Sequence, residues 1–342
     1  MGCGCTSNCG KNAEEITEFN NDSNIIRIND IINNNKKLLS SIIKLQSHYR
    51  GIKARLKFQS RLNEISELLN NDEQQDKSQF IIILDDELNS LLNSYPPLND
   101  GVQVDIISPI EYPSKNTIYC GEWDKERNIR HGRGILIWPE GSKYLGYWVN
   151  DKANIKGKLI HNDGDIYEGE WSDDKPNGKG IYIHKDGTVY EGDWRNDKQE
   201  GLGKEKWADG ACYEGEYKDG KKNGKGKFHW ADGSYYEGTF IDNDISGKGI
   251  YIFNDKKRYE GEWDKNKLNG YGVFTWPDGR RYEGYYKNDK KEGYGVFTWN
   301  DGKQYKGYWK NGKQDGEGEF FFPSEQKWKK GLWENGKRIK WI

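Results

Sequence analysis

Aliphatic bulk is scarce in this sequence. Of 342 residues only 33% are hydrophobic while aromatics make up 14%, so burial has to rest on Trp, Tyr and Phe rather than on Leu, Ile and Val. A conventional globular core is therefore not expected. No apolar run approaches the roughly 18 residues of a membrane-crossing helix, and the N-terminus lacks the apolar stretch of a secretory signal. The chain is expected to be made and kept in the cytosol, with its five Cys reduced. A net charge of −2 exerts no overall pull toward nucleic acid or an anionic surface.

What is present is unevenly distributed. All 14 Trp lie at or after Trp123, and only five of the 42 Gly precede residue 119, so the chain divides into two unlike parts near Asn116. Three of the five Cys fall in the first nine residues. From Lys36 to Asn63 there are eight Lys and Arg and no acid.

The C-terminal part is periodic. The pattern Tyr-x-Gly-x-aromatic starts at Tyr144, Tyr167, Tyr190, Tyr213, Tyr236, Tyr259, Tyr282 and Tyr305, always 23 residues apart, with a first unit at Tyr119 and a truncated last one at Trp328. Within a unit, Tyr167, Gly169 and Trp171 share the parity of one strand face, and Glu168 and Glu170 share the other. The second strand repeats this with Gly178, Gly180, Tyr182 and His184. Glycine here leaves room for a neighbouring ring to lie against the backbone. Asp-Gly pairs such as Asp163-Gly164 and Asp186-Gly187 recur at one repeat position and supply the positive φ of a tight turn.

Tyr-x-Gly-x-Trp followed by Gly-x-Gly and Asp-Gly resembles the membrane occupation and recognition nexus (MORN) repeat family, over residues 119 to 341. The resemblance implies a mainly β fold, an elongated open antiparallel meander of about nine to ten 23-residue hairpins. It also implies protein contacts, often in membrane-linked or cytoskeletal settings. Ile155 departs from the pattern at the first Gly of its pair, as do Asp255-Lys256 and Ser324-Glu325 at the turn, and the first unit has two extra residues.

Before the repeats, Met1-Gly2-Cys3-Gly4-Cys5-Thr6 fits the N-myristoylation template at Gly2, and Cys3 and Cys5 are natural palmitoylation acceptors beside it. One acyl chain anchors weakly, so a second signal is needed, and the basic stretch offers a third toward anionic lipid. Leu38, Ile42, Leu45, Tyr49, Ile52 and Leu56 line one face of a helix over 36–70. Within it, Leu45-Gln46-Ser47-His48-Tyr49-Arg50-Gly51-Ile52-Lys53-Ala54-Arg55 resembles the IQ motif. That resemblance implies a calmodulin or related EF-hand partner that grips Leu45, Gln46, Tyr49, Arg50, Gly51, Ile52 and Arg55. The same stripe also suits a basic helix lying on a membrane or packing on the repeats. Phe80, Leu84, Leu88, Leu91 and Tyr95 mark a second, acidic helix suited to pair with the basic one, stopped by Pro96-Pro97, and Gly101 to Asn116 reads as a linker.

Catalytic chemistry finds no support. Gly215 to Lys222 approaches a phosphate-binding loop but puts Lys222 where Ser or Thr must reach magnesium. Outward Glu168, Glu191, Glu214 and their equivalents read as a solvated face, and His161 and His184 as substitutes for stacked rings. Cys3, Cys5 and Cys9 lack a fourth metal ligand.

The sequence thus divides into a lipidated, Asn-rich flexible start (1–35), a basic helix with the IQ motif (36–70), an acidic helix with a Pro-containing linker (71–118) and the repeats (119–342). It reads as a non-enzymatic scaffold without cofactor, metal or nucleic acid, on the cytosolic face of a plasma or ciliary membrane. Its partners are a calmodulin-type protein, an anionic membrane surface and proteins along the repeats; free sheet edges permit a homodimer. The alternative is a structural subunit of a ciliary or other cytoskeletal assembly.

Overall fold

The computed structural model describes residues 73–112 and 117–342, which fall into two compact units, one ending at Lys198 and one spanning Gln199–Ile342. The first holds helix α1 (Glu73–Ser94) and strands β1 (Asp105–Tyr112), β2 (Thr117–Asp124), β3 (Ile129–Ile137), β4 (Lys143–Val149), β5 (Lys152–Ile160), β6 (Ile166–Ser172), β7 (Lys175–Ile183) and β8 (Val189–Arg195). Each strand pairs antiparallel with its sequence neighbour. The second unit continues the motif with β9 (Lys198–Lys206), β10 (Cys212–Lys218), β11 (Lys221–His229), β12 (Tyr235–Ile241), β13 (Asp244–Ile252), β14 (Arg258–Asp264) and β15 (Lys267–Thr275). It closes with β16 (Arg281–Lys287), β17 (Lys290–Thr298), β18 (Gln304–Lys310), β19 (Lys313–Phe322), β20 (Lys327–Glu334) and β21 (Lys337–Trp341). This is the open antiparallel meander of hairpin repeats that the 23-residue period implies.

The periodic glycines meet across the sheet. In the second unit Gly215 pairs with Gly226, Gly238 with Gly249 and Gly261 with Gly272, and the following strand continues the line. A tyrosine ring lies over each pair: a Cβ added at Gly226 would sit 2.5 Å from both Cε2 and Oη of Tyr213. The hydroxyl ends on a backbone carbonyl three residues on, as Tyr167 Oη does on Glu170 O at 2.8 Å. Against these rings stand the aromatic residues of the same and the next repeat, Tyr167 meeting Trp171 and Trp194 edge-on, each at 5.2 Å. Tyr190, Tyr213, Tyr236, Tyr259, Tyr282 and Tyr305 are all wholly buried. The core is thus a line of rings on glycine that needs only neighbouring repeats.

Two turns alternate. The Asp-Gly turns connect one repeat to the next: Gly164 N–H returns to His161 O at 3.0 Å and Asp163 Oδ1 accepts the N–H of Asp165. Within a repeat the strands join through a two-residue turn with both residues at positive φ, as Asp173 (49°) and Asp174 (65°), a type I′ hairpin. The sequence reading named only the first kind. The second also hooks adjacent hairpins together, because Asp174 N–H donates to Ala153 O at 2.9 Å while Asp174 Oδ1 accepts Ala153 N–H at 2.7 Å. In the first repeat the two extra residues lengthen this turn, where Asp124 Oδ1 accepts N–H from Glu126 and Arg127.

Residues 105–112, read from sequence as part of a linker, form strand β1 instead. Ile106, Ile107 and Ile110 pair with β2, and a break in register between Ile107 and Ile110 accommodates Pro109, which has no N–H to give.

Candidate functional site

Gly2, Cys3 and Cys5, and the IQ residues Leu45, Gln46, Tyr49, Arg50, Gly51, Ile52 and Arg55, lie outside the described residues. The described surface offers a docked helix and two unlike sheet faces.

Helix α1 lies on the outward face of the first hairpin. Leu84, Leu88 and Leu91 are buried with Ile118, Cys120, Ile135 and Ile137, so the acidic helix spends its apolar stripe on the sheet. The helix carries no basic residue in its last turn. Arg133 of β3 serves instead, donating from Nη1 to Leu92 O at 2.9 Å and Tyr95 O at 2.8 Å while it pairs with buried Glu122. Lys143 adds an ion pair to Glu87 at 2.7 Å, and Tyr147 Oη donates to Pro96 O. Beyond the helix, His131 Nδ1 faces the Asn150 N–H, which leaves Nε2 to donate to Asp100 at 2.7 Å and tie down the following segment. Burial under the helix pushes the Cys120 thiol up to about 12, so it is inert.

The inward face of the second unit carries an unbroken run of rings from Trp207 through Phe228, Trp230 and Tyr251 to Trp299 and Phe320, with centroids 4.4 to 5.7 Å apart. Most are half-buried. Cations sit on them: Lys222 lies 4.8 Å from the Trp207 centroid and pairs with Glu205, so its ammonium is engaged, and Gly215 to Lys222 runs from β10 into β11. Lys291 is ringed by Trp276, Tyr282, Phe297 and Trp309 at 4.3 to 5.6 Å, and burial lowers its pKa to about 8. His184 lies against Tyr182 with centroids 4.6 Å apart and planes tilted by 55°, and its Nδ1 meets Asp165 at 3.1 Å.

The outward face is laced with cross-strand ion pairs. Lys158 meets Glu168, Lys204 meets Glu214 and Lys227 meets Glu237. Hydrogen bonds from Tyr235 and Lys227 hold Glu237 below the ordinary carboxylate range, so it stays ionised. The next outward acid along the strand has a task that sequence reasoning missed. Glu216 accepts the Lys225 N–H at 2.9 Å, Glu262 the Tyr271 N–H at 3.3 Å and Glu122 the Arg133 N–H at 2.6 Å, each closing the bulge of its hairpin. At Tyr285 and Tyr308 a phenol replaces that acid, and with Tyr271 and Tyr294 it forms a row of exposed rings. Superposing the repeats in sequence exposes this break, but an outward strand position was read only as solvated. Among the described residues no group of three or more His, Cys, Asp or Glu could hold a metal.

A sheet grown by repeating one hairpin, with its core consumed by ring packing, is a repeat scaffold. The chain belongs to the MORN repeat family: the family model matches nine repeats at residues 119–143, 144–166, 167–189, 190–212, 213–235, 236–258, 259–280, 282–304 and 305–326. The IQ calmodulin-binding motif matches residues 39–59, which contain every IQ residue named from the sequence. Both families are generally binding modules rather than enzymes. Among solved structures the chain is similar to the SAS-4 (dCPAP) TCP domain of Drosophila melanogaster in complex with a proline-rich motif of Ana2 (dSTIL). Identity there is 14% and the TM-score 0.29, over 55% of this chain and 93% of that one. It is also similar to the TCP10c domain of Drosophila melanogaster Sas-4 (12%, TM-score 0.25, 54% of this chain and 100% of that one). TM-scores this low inform neither fold nor function. No curated protein sequence matches the chain. Among the described residues no helix is long and apolar enough to cross a membrane.

Proposed function

We propose that this protein is a non-enzymatic, membrane-anchored MORN scaffold whose presentation of partners is governed by a calmodulin-type EF-hand protein at residues 39–59. The observation that carries the reading is the IQ match in a chain that also carries nine MORN repeats, with helix α1 docked on the first of them. An IQ helix offers an apolar stripe to the partner's groove while Arg50, Lys53 and Arg55 face its acidic rim. The anchor in this reading is acyl: myristate on Gly2, palmitate on Cys3 and Cys5, with the basic stretch from Lys36 to Asn63 drawn to anionic lipid. A calcium sensor that covers the basic stretch removes that third signal, which couples calcium to membrane residence.

The test is retention of the full chain on calmodulin with and without calcium. Changing Gln46 and Arg50 together to Ala should abolish it, and unchanged retention sinks the site. The intact mass of the native N-terminal peptide tests the anchor. An unmodified Gly2 leaves the membrane reading without support and returns the scaffold to a ciliary or cytoskeletal assembly.

A further inference from the structure

Across β15 to β18 a single outward position holds Tyr271, Tyr285, Tyr294 and Tyr308, exposed by 43%, 52%, 48% and 55%. They stand as two edge-to-face pairs, Tyr271 with Tyr285 at 5.4 Å and Tyr294 with Tyr308 at 5.7 Å, each pair in direct cross-strand register. The flanking strands put Glu262 and Glu317 at this position. Tyr285 and Tyr308 therefore displace the acid that closes the bulge at Glu216 and Glu262, and among the described residues no side-chain hydrogen bond replaces it. A backbone hydrogen bond has been given up for exposed aromatic surface, which points to a contact made by the rings.

Spacing and charge describe what fits. Equivalent strands of successive hairpins lie about 9.6 Å apart, and a polyproline II helix advances about 9.3 Å per turn, so one laid across the strands meets a tyrosine pair at each turn. On the same face Lys287, Lys290 and Lys310 are exposed and make no ion pair among the described residues. The nearby acids are engaged, Glu283 by Arg281 and Tyr271, and Glu292 by the Asn311 N–H. The face is aromatic with surplus positive charge.

We propose that this face docks a proline-containing acidic segment of a partner protein in polyproline II conformation, its prolines seated against the exposed surface of each ring pair and its carboxylates on Lys287, Lys290 and Lys310. The inference rests on the reading of the repeats as a protein-contact scaffold and names the face and the partner chemistry. Rigid rings lose little entropy on contact, and the ligand is already extended, so neither side reorganises much.

The experiment is fluorescence anisotropy of the full chain with a labelled peptide of about twelve residues built from Pro-Pro-Glu triplets. Tyr285→Glu with Tyr308→Glu should weaken binding at least tenfold, and because Glu restores the bulge closure found at Glu216 and Glu262, the melting temperature should hold or rise. Lys287→Ala with Lys310→Ala should weaken binding and flatten its salt dependence, and a peptide with Gly for Pro should not bind. Unchanged affinity in the tyrosine variant, or equal binding of a Pro-Pro-Lys peptide, overturns the proposal. So does tighter binding of a single-stranded oligonucleotide or of anionic vesicles at the same row, or self-association of the chain abolished by the tyrosine changes. Failure of the unaltered chain to bind the peptide, while calmodulin still retains that chain, overturns this site and leaves the regulated-scaffold reading standing.

Discussion

Arg133 Nη1 reaches the carbonyl oxygen of Tyr95 at 2.8 Å across 38 residues of sequence, joining the C-terminus of helix α1 to strand β3. The same guanidinium neutralises Glu122, which is buried beneath the helix. One residue therefore serves the hairpin bulge through its backbone N–H, and the ion pair and the helix end through its side chain.

Arg133→Ala is expected to destabilise the first unit by about 3 kcal/mol, since it strands a buried carboxylate and uncaps the helix. Glu122→Gln should cost less, and the double variant less than the sum, which urea unfolding of the three proteins will measure.

Two glycine substitutions separate space from backbone geometry. Gly226→Ala drives a methyl into the Tyr213 ring, for an expected loss of about 3 kcal/mol. Gly233→Ala meets nothing within 4 Å but holds φ at 85°, for about 1 kcal/mol. Equal losses in thermal melts would contradict the ring-on-glycine core.

Ile155 is the converse case. It keeps φ at 61° where equivalent repeats place Gly178 (97°) and Gly224 (104°), and its side chain is 45% exposed. A β-branched residue is strained in that conformation, so Ile155→Gly should stabilise by roughly 0.5–1 kcal/mol after the entropy of a freer unfolded chain is subtracted. A lower melting temperature would refute the strain.

Lys291→Leu restores the kind of residue buried at Ile245 and Leu268 and removes a desolvated charge that the surrounding rings offset only in part. The variant should gain on the order of 1–2 kcal/mol at pH 7. Burial holds Lys291 near 8 in the fold while the unfolded group titrates near 10.5, so between these values the unfolded state binds the extra proton. Wild-type stability from this group therefore rises with pH across the window, and the advantage of the variant should shrink between pH 8 and pH 10.5. A constant difference over that range would show that Lys291 titrates normally in the fold.

The repeat was legible because each unit carries its own complete instruction. Tyr167, Gly169 and Trp171 alternate with Glu168 and Glu170, and the ring and the space it fills both lie within one hairpin and its neighbour. The IQ segment was legible for a similar reason, since a helical motif presents its residues through local spacing alone. Less visible were features that depend on a partner elsewhere. Asp174 reads as an ordinary turn residue until the neighbouring hairpin brings Ala153 to it. Pro109 argued for a linker because only the edge of β2 makes an Ile-rich segment with one proline into a strand.

The sequence by itself determined the hairpin, its period and its aromatic core, because those interactions span about two dozen residues and repeat without long-range information. Only the tertiary structure decided where helix α1 docks, that Arg133 closes it, and that four tyrosines form one exposed row. Those outcomes depend on which side chains separate strands bring to one face, and no local pattern encodes that distance.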